Sequence, residues 1–307
     1  MEWYPLLQTI FIIFLAQRHK GSQEGFSCLR RSVPQSENNE GHLRQTVVGA
    51  IVSEVLMTHV PKHFIHADAV LVPHAGWVYS GKLAAQTLKR VEIPRWVILF
   101  APQHRGGGAE WAVAPHQTWL LPGKNVEADL SMTNKMIQAV DFFAYDAAPH
   151  AQEHSIEVLL PILARLAPET KISAVAMAMS SWDMIRHGAA QFANFLNSLP
   201  EKPMLIISSD MNHFANEETT RRVDRIALDS IYRAAAELNP EYALRTIYEQ
   251  RISMCGIIPA TFVMETLRVM GRLDRVEEVG YTTSAETSGD TSRVVGYAGL
   301  IFHSEAG

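Results

Sequence analysis

Three short runs of aliphatic and aromatic residues punctuate the chain: Ala69-Val70-Leu71-Val72, Trp96-Val97-Ile98-Leu99-Phe100 and Met204-Leu205-Ile206-Ile207. None alternates with polar residues. A strand with one wet face alternates, so an unbroken run reads as a strand covered on both faces, as in a parallel sheet between two helix layers. Elsewhere the apolar period becomes helical, and helices are predicted over Gly81–Val91, Ala128–Val140, Ser155–Leu166, Trp182–Leu196, Glu217–Leu238, Tyr242–Gln250 and Pro259–Met270. A fourth strand is predicted over Thr170–Met177, and two more, Val276–Thr283 and Arg293–His303, close the chain. Strand and helix taking turns predicts an α/β fold, a single three-layer sandwich whose mostly parallel or mixed central sheet is flanked by helices.

The pattern also divides the chain. Val47-Val48, Ile51-Val52 and Val55-Leu56 recur at helical spacing, so the folded α/β domain is expected to span residues 42–307. Residues 1–41 read as a poorly ordered N-terminal extension, because Gly21-Ser22-Gln23-Glu24-Gly25 and Gln35-Ser36-Glu37-Asn38-Asn39-Glu40-Gly41 lack apolar periodicity. The polar stretch Ser284–Ser292, between the two closing strands, reads as a surface connection, with a mobile lid as the alternative.

Composition narrows the function classes. With 307 residues, 47% hydrophobic and 19% charged, the chain can bury a large core. Its net charge of -5 offers no basic footprint for nucleic acid. Leu6–Ala16 has the apolarity of a signal-peptide core, but it is too short to span a bilayer, and Glu2 stands where a basic segment belongs. With two cysteines, Cys28 and Cys255, and no need of a disulfide at this length, the expectation is a reduced, cytoplasmic protein without a membrane span.

The candidate chemistry lies where the apolar runs end. Pro73-His74, Pro102-Gln103-His104 and Ser208-Ser209-Asp210 each follow a buried-strand pattern, and open α/β sheets bind ligands beyond the carboxyl ends of their strands. His154 in Glu153-His154-Ser155-Ile156-Glu157, His213 three residues after Asp210, and Cys255 in Met254-Cys255-Gly256 add donors of the same kind. Together they read as one metal or acid/base site. Each residue also has a plainer reading. His74 and His104 could bond backbone carbonyls at the rim, and Cys255 could be a small apolar residue at a helix start. Glu153 and Glu157 would complement a helix dipole, which leaves His154, flanked by carboxylates, suited to proton transfer. If a helical turn follows residue 208, Asp210 and His213 share a face, or Asp210 caps the turn. A serine relay through Ser208 or Ser209 is disfavoured, because base and orienter must lie on opposite sides of the imidazole.

These motifs carry a resemblance. Pro73-His74-Ala75-Gly76-Trp77-Val78-Tyr79-Ser80-Gly81, Glu153-His154-Ser155-Ile156-Glu157, Ser208-Ser209-Asp210-Met211-Asn212-His213 and Cys255-Gly256 resemble, in order and spacing, the signature segments of the Memo family, called AmmeMemoRadiSam system protein B in bacteria and archaea. Trp3-Tyr4-Pro5 is similar to the family's start, but the long spacing to His74 sets residues 6–41 apart. The chain departs from the pattern at Gln103, which stands in place of a second histidine, at Trp77 for the usual tyrosine and at Ile257 where arginine is frequent. Arg105, before Gly106-Gly107-Gly108, is a candidate for anion recognition.

The resemblance implies a fold similar to class III extradiol dioxygenases and a metal pocket of His74, His104 and Cys255, lined by Asp210 and by His213 in the place of the acid/base histidine, with His154 as a further pocket residue; His213, His154 and Asp210 are the candidate catalytic residues. It implies iron(II) and redox or dioxygenase-like chemistry on an unknown small molecule or peptide, and a functional link to radical-SAM and AMMECR-type proteins. A thiolate is softer than the usual carboxylate, so zinc and copper(I) enter as alternatives. The competing functions are a non-catalytic binding module for a peptide or small anion and a zinc-dependent hydrolase.

Overall fold

The computed structural model describes residues 64–121 and 124–304, so the extension expected over residues 1–41 and the helical spacing of residues 47–56 lie outside the described residues. β1 (Ala69–Val72) leads through a π-helical turn, Trp77–Gly81, into α1 (Lys82–Lys89). β2 (Trp96–Pro102), β3 (Trp111–Val113), β4 (Thr118–Leu121), β5 (Lys124–Glu127), α2 (Leu130–Ala139) and β6 (Phe143–Tyr145) follow. A 3-10 turn, Glu157–Leu159, opens α3 (Leu160–Leu166), before β7 (Lys171–Met177), α4 (Trp182–Ser198), β8 (Met204–Ser208) and β9 (His213–Ala215). Three helices come next, α5 (Glu217–Ala236), α6 (Pro240–Glu249) and α7 (Ile257–Val269), and then β10 (Arg275–Thr283), α8 (Ala285–Ser288) and β11 (Val294–His303).

The central sheet runs β10-β11-β1-β8-β2-β7-β3-β6, with β9 paired to β11. Its middle, β1-β8-β2-β7, is parallel, while β11 and β3 join antiparallel at the two sides, which makes the sheet mixed. Every residue of β1, β2 and β8 is buried, as their unbroken apolar runs predict. Successive residues serve opposite cores. Leu71, Ile98, Phe100 and Ile207 pack with Phe192 of α4, Ile231 of α5 and Phe262 of α7. Val70, Val97, Leu99 and Ile206 pack with Leu88 of α1 and Ile162 of α3 on the other face. Helices on both faces of a mixed sheet form the expected three-layer sandwich.

Several elements differ from the sequence reading. β3 and β6, of three residues each, and the β4–β5 ribbon are too short for periodicity to reveal. Glu153 and His154 lie in irregular backbone, Ser155–Ile156 form a turn, and the regular helix starts only at Leu160, with Pro161 in its first turn. Trp111 is fully buried in the core, whereas Met179 is 69% exposed. The Ser284–Ser292 stretch contains α8, and its Thr287 hydroxyl donates to the Val78 carbonyl at 3.3 Å. No helix among the described residues is long and apolar enough to cross a membrane.

The Phe100 ring lies 5.5 Å from that of Phe192 and 5.2 Å from that of Phe262, so Phe100→Ala should cost about 3–5 kcal/mol in denaturant unfolding. A cost below about 1 kcal/mol would contradict this core.

His150 is buried in the turn after β6, its Nε2–H donating to the Ala112 carbonyl at 3.0 Å, while Nδ1 is buried without a hydrogen-bond partner among the described residues. A second proton would have nowhere to bond, and burial above all lowers this ring from its ordinary 6.5 to about 4. The unfolded chain therefore binds more protons across that window. Its contribution to stability should be complete above pH 6.5 and decline as pH falls toward 4. His150→Gln should flatten that slope in pH-dependent unfolding, and a slope unchanged in the variant would assign it to another group.

Candidate metal centre

β1, β8 and β2 are neighbours that run the same way, so their carboxyl ends deliver His74, Asp210 and His104 to one edge of the sheet. Asp210 ties two of those ends together. Its Oδ1 accepts the backbone N–H of His74 at 2.8 Å and of Ala75 at 3.2 Å. It therefore caps the end of β1 rather than a turn of its own, and the helical turn expected after residue 208 is instead a loop leading into β9 at His213.

Cys255 reaches this edge from the start of α7. A side chain at position 256 would place a Cβ 2.4 Å from the Cβ of Ser209 and 2.6 Å from the Ser208 carbonyl oxygen, closer than atoms pack. Glycine alone permits this approach of α7 to β8, and its N–H donates to Ser209 Oγ at 3.0 Å. The consequence is a sulfur inside the site: Cys255 Sγ accepts the Asp210 N–H at 3.2 Å and lies 3.4 Å from His74 Nε2.

Hydrogen bonding selects the tautomer of each imidazole. Ser208 Oγ donates its proton to the Ser155 carbonyl at 2.6 Å, so toward His74 Nδ1, at 2.8 Å, it acts as an acceptor. His74 consequently carries Nδ1–H and a lone pair on Nε2. His104 is set likewise, its Nδ1 lying 2.9 Å from the Glu153 carboxylate. Outer partners that hold Nδ1–H and leave Nε2 free are the usual support of metal-ligating histidines. Burial foremost, then His154 and His104, keeps the His74 pKa well below its ordinary value, so this ring is neutral and able to donate.

Glu153 gathers donors from two segments behind the imidazoles rather than complementing a helix dipole. Its oxygens accept from His104 N, His104 Nδ1, His154 N and Ser155 N. Burial alone would raise its pKa, but the His104 contacts and backbone donors outweigh it and hold the carboxyl far below its ordinary range. His154 stacks on His104 with ring centres 4.9 Å apart, and burial lowers its pKa. His213 donates Nδ1–H to the Ser253 carbonyl at 2.8 Å, which leaves Nε2 as its basic nitrogen. Arg105 is exposed on the glycine-rich loop and acts electrostatically on His154.

The donor set suits a transition metal. The ligand atoms of His74, His104 and Cys255 lie within 4.8 Å of one another. Two ligands of one ion, a sulfur at about 2.3 Å and a nitrogen at about 2.0 Å, stand roughly 3.5 Å apart at a tetrahedral angle. The Sγ to Nε2 distance of 3.4 Å matches this spacing without rearrangement. Burial and the charge of Asp210 push the thiol pKa up, and a cation in contact reverses that balance. A second group, His104, Glu153 and His154, also lies within ligand spacing, but the four N–H donors on Glu153 leave it committed to support. Burial likewise lifts Asp210, to about 6. Ser208 and Ser155 stood inside the motifs with no supporting role legible from the sequence, and Ser253 had no signal beyond its place before Cys255.

The profile of the Memo-like protein family matches residues 42–301. A MEMO1 family protein of Aquifex aeolicus is 36% identical over 252 residues, covering 81% of this chain and 91% of the relative. One from Methanobrevibacter smithii is 34% identical over 236 residues, 76% of this chain and 82% of the relative. One from Archaeoglobus fulgidus is 32% identical over 234 residues, 76% of this chain and 86% of the relative.

Because Glu153 sets the His104 tautomer, Glu153→Gln should weaken metal affinity about 10- to 100-fold in competition with a chromophoric chelator, with the ligand residues intact. Unchanged affinity would mean that His104 is oriented without it.

Proposed function

Because the chain belongs to the Memo family, we propose that it is a mononuclear metal protein in which His74, His104 and Cys255 hold iron(II) for redox or dioxygenase-like chemistry on a small molecule. The observation that carries this reading is the pair of tautomer-fixed imidazoles beside a thiol, with 3.4 Å between His74 Nε2 and Cys255 Sγ. Iron(II) on three protein ligands supplies a redox-active Lewis acid with open positions for substrate.

The chain's own residues then divide the remaining work. His213 presents Nε2 as a proton acceptor, since its Nδ1–H is committed to Ser253. His154, held neutral by burial beside His104, serves as a second proton-transfer group. Asp210 keeps the His74 backbone in place through two N–H bonds, so its part is positioning. The soft sulfur donor favours one competing reading, a zinc centre in which His213 activates water for hydrolysis.

Protein purified without oxygen and analysed for metals should carry stoichiometric iron, and Cys255→Ser should lose it. His213→Gln should keep the metal, because its ring is not among the ligands. Stoichiometric zinc in place of iron would move the assignment to the hydrolase, and absence of metal under every loading condition would leave a binding module.

A further inference from the structure

Asp224 lies in α5, outside the motifs that supply the centre, and its side chain is fully buried. Its two oxygens receive separate donors: the Tyr281 hydroxyl of β10 at 2.7 Å on Oδ2, and the Asn212 backbone N–H at 2.8 Å on Oδ1. The sheet makes room for it. A Cβ at Gly296 of β11 would lie 1.8 Å from Oδ2, so only a residue without a side chain admits the carboxylate. Burying a carboxylate is costly, and burial raises this one to about 6, so an apolar residue would fill the space at less cost. What the acid holds in place explains its presence.

Asn212 is the next link. Its side-chain Oδ1 accepts from Ser253 Oγ at 3.0 Å and Ser253 N at 3.3 Å, while its Nδ2 donates to Thr220 Oγ1 at 3.4 Å. Ser253 in turn grips His213 twice, accepting the backbone N–H on Oγ and the Nδ1–H on its carbonyl, both at 2.8 Å. The following residue, Phe214, has φ +67°, a left-handed conformation that a bulky side chain adopts only where surrounding contacts over-determine it. Its ring is covered by the Arg293 guanidinium at 4.5 Å.

We propose that Asp224 is a positioning residue for His213, acting through Asn212 and Ser253 to hold the imidazole in one orientation with Nδ1–H engaged and Nε2 free. The catalytic value of that arrangement rests on His213 being the proton acceptor proposed above; the arrangement itself does not. Asp224 touches no proposed metal ligand, so its effect is separable from metal binding.

The test reads the His213 tautomer directly by nitrogen-15 NMR of histidine-labelled full-length protein, alongside iron(II) titration. Wild type should show a protonated Nδ1 and an unprotonated Nε2 at His213. Asp224→Ala should lower the ratio of Nδ1–H to Nε2–H forms on the order of tenfold, as expected when a hydrogen-bonded scaffold is cut. Asp224→Asn, which keeps an acceptor for Asn212 N–H, should restore the wild-type spectrum. Ser253→Ala, a smaller perturbation that breaks the relay at its last side chain, should reproduce the Asp224→Ala result if the latter does not fold. Iron(II) affinity should stay within about twofold of wild type in every folded variant, as for a site outside the ligand set. A His213 spectrum unchanged by Ser253→Ala, or by folded Asp224→Ala, would overturn the proposal. Failure of wild type to bind iron would instead count against the metal reading and leave the tautomer result standing.

Discussion

Parallel pairing of β1 and β2 on either side of β8 decides where the polar ends of these strands lie. Three chain segments that end in His74, His104 and Asp210 cannot bring those residues to opposite edges once they run the same way in register. The fourth component depends on a contact as strict as a hydrogen bond. Gly256 lets the start of α7 touch the Ser208–Ser209 backbone, and any side chain there would push Cys255 away from His74.

Around this constraint the protein spends buried carboxylates on orientation. Asp210 holds the end of β1, Glu153 holds His104 and its own following turn, and Asp224 holds the strand that starts at His213. Each would be expensive if unpaired, and each has both its desolvation and its geometry answered by N–H or O–H donors. The imidazoles, by contrast, present free nitrogens chosen by what the other nitrogen bonds. Rigidity at the centre therefore comes from its surroundings, not from the ligand residues themselves.

The departures from the family's usual motifs also have local physical accounts. Trp77 donates its indole N–H to the Val158 carbonyl at 2.8 Å, so the π-helical turn is tied to the 3-10 turn after the Glu153–Glu157 motif. Ile257 is buried at the first position of α7, where it packs in the apolar core. Gln103 donates to the Ala109 carbonyl at 2.9 Å and closes the base of the glycine-rich loop. Of the three glycines there, only Gly108 packs tightly, against Asp146, which accepts the Ala109 N–H at 2.8 Å.

The layered fold was legible in the sequence because burial on both faces leaves an unmistakable mark: strands such as β1, β2 and β8 must be apolar at every position, and helices such as α4 and α5 must repeat near every third or fourth residue. The identity of the candidate ligands was legible too, since polar residues after such strands stand out. What the linear order could not decide was everything that depends on neighbours brought together by folding. The turn before α3 that makes Glu153 a hub, the loop and strand that replace a helical turn between Asp210 and His213, the tautomers, and the path from Asp224 to His213 all include partners far apart in the chain, such as His104 with Glu153, His74 with Ser208 and His213 with Ser253. A hydrogen bond is directional and reaches only about 3 Å, so it exists only after the sheet has set the distances.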